Sequence, residues 1–260
     1  MKIPIYQVDA FTDKLFGGNP AAICPLVEWL PAPEMQKIAA ENNLAETAFF
    51  VPQGKGYELR WFTPEVEIDL CGHATLATAH VLFTILNYKD DVIHFHTLKA
   101  GTLTVQRDSE VYTLDFPSRP PEPTDVPAGL KEALGGNPAE ILKSRDYFIV
   151  YENESAVRAL KPNYPALSKI DSLGFIVTAP GDHSDFVSRF FAPGAGINED
   201  PVTGSAHCSL IPYWANLLGK NKLHAFQVSS RLGELWCELK DDRVLMAGKA
   251  VTFLKGEIYI

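Results

Sequence analysis

The sequence predicts an α+β protein made of two similar lobes, and three features carry that expectation. β-type segments outnumber helical ones, a proline-rich stretch stands near the midpoint, and a motif of the first half returns in the second. With 260 residues the chain has room for one large domain or two lobes of about equal size. Its 46% hydrophobic and 21% charged shares are those of a packed globular chain and exclude wholesale disorder.

In chain order, Ile3–Val8, Ala21–Pro25, Thr47–Val51 and Tyr57–Phe62 read as strands around one helical pattern, Ala32–Asn42. A second helix is expected at His73–Leu86, where Ala74, Ala77, Val81 and Ile85 recur at three- and four-residue steps. Its many alanines suit close packing on all sides. Strands at Val92–His96, Thr102–Arg107 and Val111–Phe116 lead to Pro117-Ser118-Arg119-Pro120-Pro121-Glu122-Pro123, whose four prolines in seven residues mark a linker. Helices follow at Ala128–Leu134, stopped by Gly135-Gly136, and at Pro138–Lys143, then strands near Phe148–Tyr151 and Gly174–Thr178. The expected lobes are 1–117 and 118–260, with about the last twelve residues of Ala247–Ile260 a candidate to pack back on the first lobe.

The repeat locates the chemistry. Trp61-Phe62-Thr63-Pro64, followed by Ile68-Asp69, has a counterpart at an offset of 129 in Phe190-Phe191-Ala192-Pro193, followed by Ile197-Asn198. Cys71-Gly72-His73-Ala74 and Thr203-Gly204-Ser205-Ala206 then match at an offset of 132, the three extra residues holding Asp200. Each copy reaches a glycine that opens a small-residue helix, where unpaired N–H groups and the positive end of the helix dipole attract anions. If two such lobes faced each other, both helix starts would point at one cleft and suit a carboxylate or enolate-like oxygen. Either glycine alone is explained as well by a tight turn; the matched pair favours the anion site.

Three ionisable residues make up the acid–base inventory. Glu46 follows the first helical pattern and is hemmed by Leu44, Ala45, Ala48 and Phe49. Partial burial there would raise its pKa toward that of a general acid or base, whereas an exposed loop position would leave it inert. Asp200 precedes the second helix and suits either catalysis or capping. His73 suits proton transfer or a hold on a substrate oxygen, or else a neutral ring bonded at the helix start.

Other chemistries fit less well. Ser205 stands between Thr203 and His207 without the glycines of a hydrolase elbow. Cys71 with His73, His94 with His96, and His207 with Cys208 lack second pairs at metal-ligand spacing. Gly194-Ala195-Gly196 has Glu199 where a dinucleotide motif needs glycine, and Gly219-Lys220 lacks the rest of a P-loop. No nucleotide cofactor is therefore signalled, and no metal is expected. A net charge of 23 − 32 = −9 disfavours nucleic acid as a partner. Asp9, Asp13 and Lys14 interrupt any signal-peptide run, and nothing later approaches the ~20 apolar residues of a membrane span. Cys24, Cys71, Cys208 and Cys237, scattered without a C-x-x-C pair, suit reduced thiols in a cytoplasm.

Five ordered segments carry a family resemblance. They are Asp9-Ala10-Phe11-Thr12 with Phe16-Gly17-Gly18-Asn19-Pro20; Asn43-Leu44-Ala45-Glu46-Thr47-Ala48-Phe49; Phe62-Thr63-Pro64; Cys71-Gly72-His73-Ala74-Thr75; and Glu199-Asp200-Pro201-Val202-Thr203-Gly204-Ser205-Ala206-His207. Together they resemble the PhzF-like phenazine biosynthesis isomerases, which share the fold of diaminopimelate epimerase and proline racemase. The resemblance covers nearly the whole chain. It implies two pseudo-symmetric lobes, each a curled mixed β-sheet around a central helix, in a homodimer. It also implies cofactor-independent proton transfer between carbons of a small carboxylate-bearing substrate of the cyclic amino- or hydroxy-acid kind. The family's catalytic carboxylate maps onto Glu46, with His73 and Asp200 beside it in the catalytic set. Asn19, Gly72, His73, Gly204 and Ser205 form the expected substrate-binding set.

One departure is informative. Racemases and epimerases of this fold use two facing cysteines; Cys71 matches the first, and Thr203 stands at the second. A single carboxylate that removes a proton and returns it elsewhere then fits better than two-base inversion. Two alternatives stay open: a small-carboxylate binding protein without turnover, and a Cys71-dependent racemase with another acid.

Overall fold

Parallel strand pairs need a crossover of a dozen or more residues, commonly a helix, and this requirement organises the computed structural model, which describes residues 1–260. Two units are distinguished: Met1–Asp115 with Ala247–Ile260, and Phe116–Met246.

In the first unit, β1 (Lys2–Ala10) and β2 (Asn19–Pro25) pair antiparallel. The turn before β2 needs glycine: Gly18 has φ +57°, and a Cβ there would lie 2.0 Å from the Ala10 carbonyl oxygen. Helix α1 (Ala32–Asn42) then carries the chain back, so that β3 (Glu46–Gln53) runs parallel to β2. It ends at Asn43 in the left-handed conformation, φ 48°, which turns the chain abruptly and delivers Glu46 to the head of β3. β4 (Gly56–Phe62) pairs antiparallel with β3 and with the short β5 (Glu67–Ile68). Helix α2 (Gly72–Thr84) is the second crossover and places β6 (Val92–His96) parallel to β4. β7 (Thr102–Asp108) and β8 (Val111–Pro117) continue antiparallel.

Every residue of α2 from Gly72 to Phe83 is buried, and the helix packs against β1, β2, β3 and β7. Small side chains make that possible, because alanine and threonine let strands approach the helix on several sides. The buried hydroxyls of Thr75 and Thr78 donate to the carbonyls of Cys71 and Ala74, four residues back, at 2.5 and 2.7 Å.

The second unit begins with β9 (Glu122–Pro123), α3 (Leu130–Leu134), β10 (Glu140–Lys143) and β11 (Tyr147–Val150). Helices α4 (Glu154–Ala159) and α5 (Tyr164–Leu167) lead to β12 (Phe175–Pro180), β13 (Phe186–Ala192) and β14 (Ile197–Asp200). Helix α6 (Gly204–Leu218), β15 (Lys222–Gln227), β16 (Gly233–Lys240) and β17 (Arg243–Gly248) complete it. The pairings repeat those of the first unit in order. β10 and β11 are antiparallel, β11 and β12 parallel across a helical crossover, β12 and β13 antiparallel. β13 then pairs with the short β14 and, across α6, runs parallel to β15. β18 (Ala250–Tyr259) returns to the first unit, antiparallel to β1.

The duplication extends to an ion pair that the motif comparison passes over. Arg60 forks onto Glu67 at 2.7 and 2.8 Å, and Arg189, 129 residues later, forks onto Glu199 at 2.7 and 2.9 Å. The core of the second unit gathers Leu130, Leu134, Ile149, Phe175, Val177 and Phe191, each at most 1% exposed. Burial of such side chains contributes about 1.5–3 kcal/mol apiece.

One expectation needs correction. The stretch expected to be a short helix at Pro138–Lys143 is strand β10 over Glu140–Lys143, paired with β11 and with β9 at once. Hydrogen bonds to neighbouring strands outweigh the local helix preference of Glu, Leu and Lys. The proline-rich segment, expected as a linker, opens the second unit, where Ser118 and Arg119 donate backbone N–H bonds to the carbonyls of Asp242 and Cys208, each at 2.8 Å. No helix is long and apolar enough to cross a membrane.

Candidate active site

The expected site residues gather in two groups, one in each unit. In the first, Glu46 heads β3 and His73 is the second residue of α2. His73 Nε2 lies 2.9 Å from Glu46 Oε2, with side-chain exposures of 4% and 9%. The ring N–H is not aimed along that line, so the contact is an ion pair rather than an aligned hydrogen bond. On the other edge of the ring, Nδ1 lies 3.1 Å from Asn19 Nδ2 and 3.5 Å from Cys71 Sγ. Asn19, fully buried at the head of β2, therefore orients His73.

Burial pulls the His73 pKa down, but the neighbouring Cys71 and Glu46 outweigh it and hold the imidazole well above its ordinary range. Burial pushes the Cys71 thiol up to about 11, with the negative charge of Glu46 adding to the effect. At neutral pH the cysteine is thus a thiol. Gly72 begins α2, and the side chain of Cys71, its N-cap residue, makes no capping bond, which leaves the first-turn N–H groups to other acceptors.

Glu46, Cys71 and His73 are the one set of three donors close enough to be tested as a metal site, their ligand atoms lying within 4.8 Å of one another. The fit is poor. Cys71 meets His73 at Nδ1 and Glu46 meets it at Nε2, so the ring stands between the other two donors and a single ion could engage only one of its edges.

In the second unit, Asp200 ends β14, Thr203 is the N-cap residue of α6, and Gly204 and Ser205 open the helix. Strand alternation sends Glu199 and Asp200 to opposite faces: Glu199 is taken up by Arg189, while Asp200 Oδ2 accepts from the Thr203 hydroxyl at 2.5 Å. Fully buried Gln227 accepts from the Thr203 backbone N–H at 2.8 Å and donates to the Asp200 carbonyl at 2.7 Å. Ser205 Oγ accepts from Arg145 Nη2 at 3.0 Å. His207 is fully buried, donates from Nδ1 to the Thr203 carbonyl at 2.8 Å, and is lowered by burial to about 4.

Gln227 and Arg145 carry no signal in the sequence. Gln227 lies 24 residues from Thr203 on a different strand, and Arg145 precedes a strand whose partner, β10, was expected to be helical.

A model of the phenazine biosynthesis-like protein family, PhzC-PhzF, matches residues 8–256. The chain belongs to the PhzC-PhzF family. Over 260 residues this PhzC-PhzF protein is 50% identical to a Pseudomonas aeruginosa protein named an uncharacterized isomerase, with 100% of both chains covered. It is similar to a PhzF-family crystal structure from Enterococcus faecalis at a TM-score of 0.97 and 50% identity, again over 100% of both chains. A hydroxyproline epimerase from Agrobacterium vitis shares the fold at a TM-score of 0.62 and 10% identity, covering 99% of this chain and 91% of the epimerase. The epimerase-like α+β architecture expected for the PhzC-PhzF chain is the one observed.

Proposed function

We propose that this PhzC-PhzF protein, an isomerase like the relatives it matches, moves a proton between two carbons of a small cyclic amino or hydroxy carboxylate without a cofactor. The observation that carries the reading is the buried contact of Glu46 with His73 at 2.9 Å. A carboxylate and an imidazole held together away from water form a proton-transfer pair whose electrostatics are strengthened by low dielectric. Glu46 takes a proton from one carbon, and the electron pair left behind spreads toward the substrate carboxylate as an enolate-like anion. His73, oriented by Asn19, faces that developing charge. Glu46 then returns the proton to another carbon, so the reaction consumes no proton and no electron.

In this reading each unit offers groups suited to a substrate carboxylate: N–H groups at Gly72-His73 in the first, and N–H groups at Gly204-Ser205 with the Ser205 hydroxyl in the second. Asp200, oriented by Thr203, accepts a hydrogen bond from the substrate's amino or hydroxyl group. The raised Cys71 pKa and the threonine at 203 both favour one carboxylate base over a thiol pair. The family likeness also supports a cytoplasmic homodimer, for which light scattering of the purified protein is the direct test.

Solvent exchange tests the reaction. Incubation in deuterated water with cyclic amino and hydroxy carboxylates is expected to place deuterium on carbon, read by NMR. Binding of such an acid with no carbon-bound label would favour a carboxylate-binding protein instead.

A further inference from the structure

The two units place equivalent contacts at their helix starts. In the first, Asn19 at the head of β2 reaches His73, the second residue of α2. In the second, Arg145, two residues before β11, reaches Ser205, the second residue of α6. β2 and β11 hold the same place in the pairing order, each antiparallel to the strand before it and parallel to the strand after its helical crossover. The residue that orients the side chain at this helix position is thus a neutral amide in one unit and a guanidinium in the other.

We propose that Arg145 is a positioning residue that commits the Ser205 hydroxyl to donate its proton to an anionic oxygen of the substrate. This rests on the reading of Ser205 as a carboxylate-binding group. Arginine carries only donors, so Ser205 Oγ can only accept from Nη2, and its own hydrogen must point to another acceptor. Arg145 is held in place by Asp146, which is 2% exposed and accepts from Nη2 at 2.8 Å and from Nε at 3.1 Å. Asp146 also neutralises the guanidinium at long range. The influence on residue 205 is therefore a short-range hydrogen bond, which selects a carboxylate oxygen over a neutral acceptor and is only weakly screened by salt.

A thiol at position 205 reports this influence without any substrate. The four native cysteines are 0–6% exposed, whereas Ser205 is half-buried, so in Ser205→Cys the new thiol dominates iodoacetamide alkylation. Its pKa, read from the pH dependence of alkylation, is expected below the free-cysteine value of about 8.5, and adding Arg145→Met is expected to raise it by about one pH unit. Circular dichroism checks that both variants are folded. Equal thiol pKa values in the two backgrounds would overturn the proposal.

The binding arm uses 2-aminobenzoate, a planar cyclic carboxylate resembling an enolate-like intermediate, and its neutral amide. Arg145→Met is expected to weaken 2-aminobenzoate roughly tenfold while leaving the amide unchanged, and Arg145→Lys to recover part of the loss. Equal losses for acid and amide would overturn it. An unchanged affinity in Ser205→Ala would instead defeat the reading of Ser205 as a carboxylate-binding group, leaving the thiol titration to decide the role of Arg145.

Discussion

Gln227 holds Thr203 at both ends of its amide: Oε1 accepts the Thr203 backbone N–H at 2.8 Å, and Nε2 lies 3.1 Å from the Thr203 hydroxyl oxygen. That hydroxyl in turn donates to Asp200 at 2.5 Å, so the one amide sets the start of α6 and the carboxylate in front of it. Gln227→Leu should cost about 1–3 kcal/mol, because it strands buried partners, and should also lower kcat. Urea unfolding and rate measurement on the same variant separate the effects. Lost stability with kcat intact would make the clamp purely structural.

Cys71 is expected to be dispensable. Its thiol is raised to about 11, so very little is ionised at neutral pH, and Cys71→Ser should keep turnover within roughly threefold of the parent. Iodoacetamide should likewise inactivate the native enzyme slowly. Loss of turnover in Cys71→Ser with Glu46 dispensable would select a cysteine-dependent racemase.

Much of the fold was legible because its periodicities are strong. Helix α1 was expected at Ala32–Asn42 and is found there, and β6 at Val92–His96 likewise. The repeat of Trp61-Phe62 in Phe190-Phe191 showed the duplication, since an aromatic pair before proline survives in both copies. Strand β10 was missed because Glu140-Ile141-Leu142-Lys143 carries no β signal of its own and is a strand only through its two neighbours. At the site, Glu46 and His73 stood out by type and setting. Asn19 appeared as a substrate ligand, yet its described contact is with His73. Gln227 and Arg145 were invisible because tertiary pairing alone brings them to Thr203 and Ser205.

Two buried histidines predict acid sensitivity. Burial lowers His207 to about 4, and burial followed by the nearby Lys255 charge lowers His80 to about 4. In the unfolded chain each titrates near 6.5, so between these values the unfolded state binds more protons and stability falls as pH drops. The gap corresponds to roughly 3 kcal/mol per histidine, lost from pH 6.5 down to 4. His73 has the opposite sign: its raised pKa contributes stability below pH 6.5, lost as pH rises through the folded value. Unfolding free energy measured against pH should therefore fall less steeply on the acid side in His207→Gln than in the parent. An unchanged slope would contradict the assignment.

Asn19 should matter through orientation. Asn19→Leu removes the 3.1 Å contact at His73 Nδ1 and is expected to lower kcat about tenfold with a smaller change in KM. Asn19→Asp, which keeps the shape but puts a carboxylate oxygen where the donating amide nitrogen stood, should shift the pH profile of the rate. A rise in KM alone would return Asn19 to the role of substrate ligand.

Glu46 is the proposed proton carrier, and Glu46→Gln tests it most sharply because the amide keeps the shape and removes the base. Deuterium incorporation into a turned-over cyclic carboxylate should fall by at least about a thousandfold, with ligand affinity and melting temperature close to the parent's. Incorporation at the parental rate in a folded Glu46→Gln protein would contradict it.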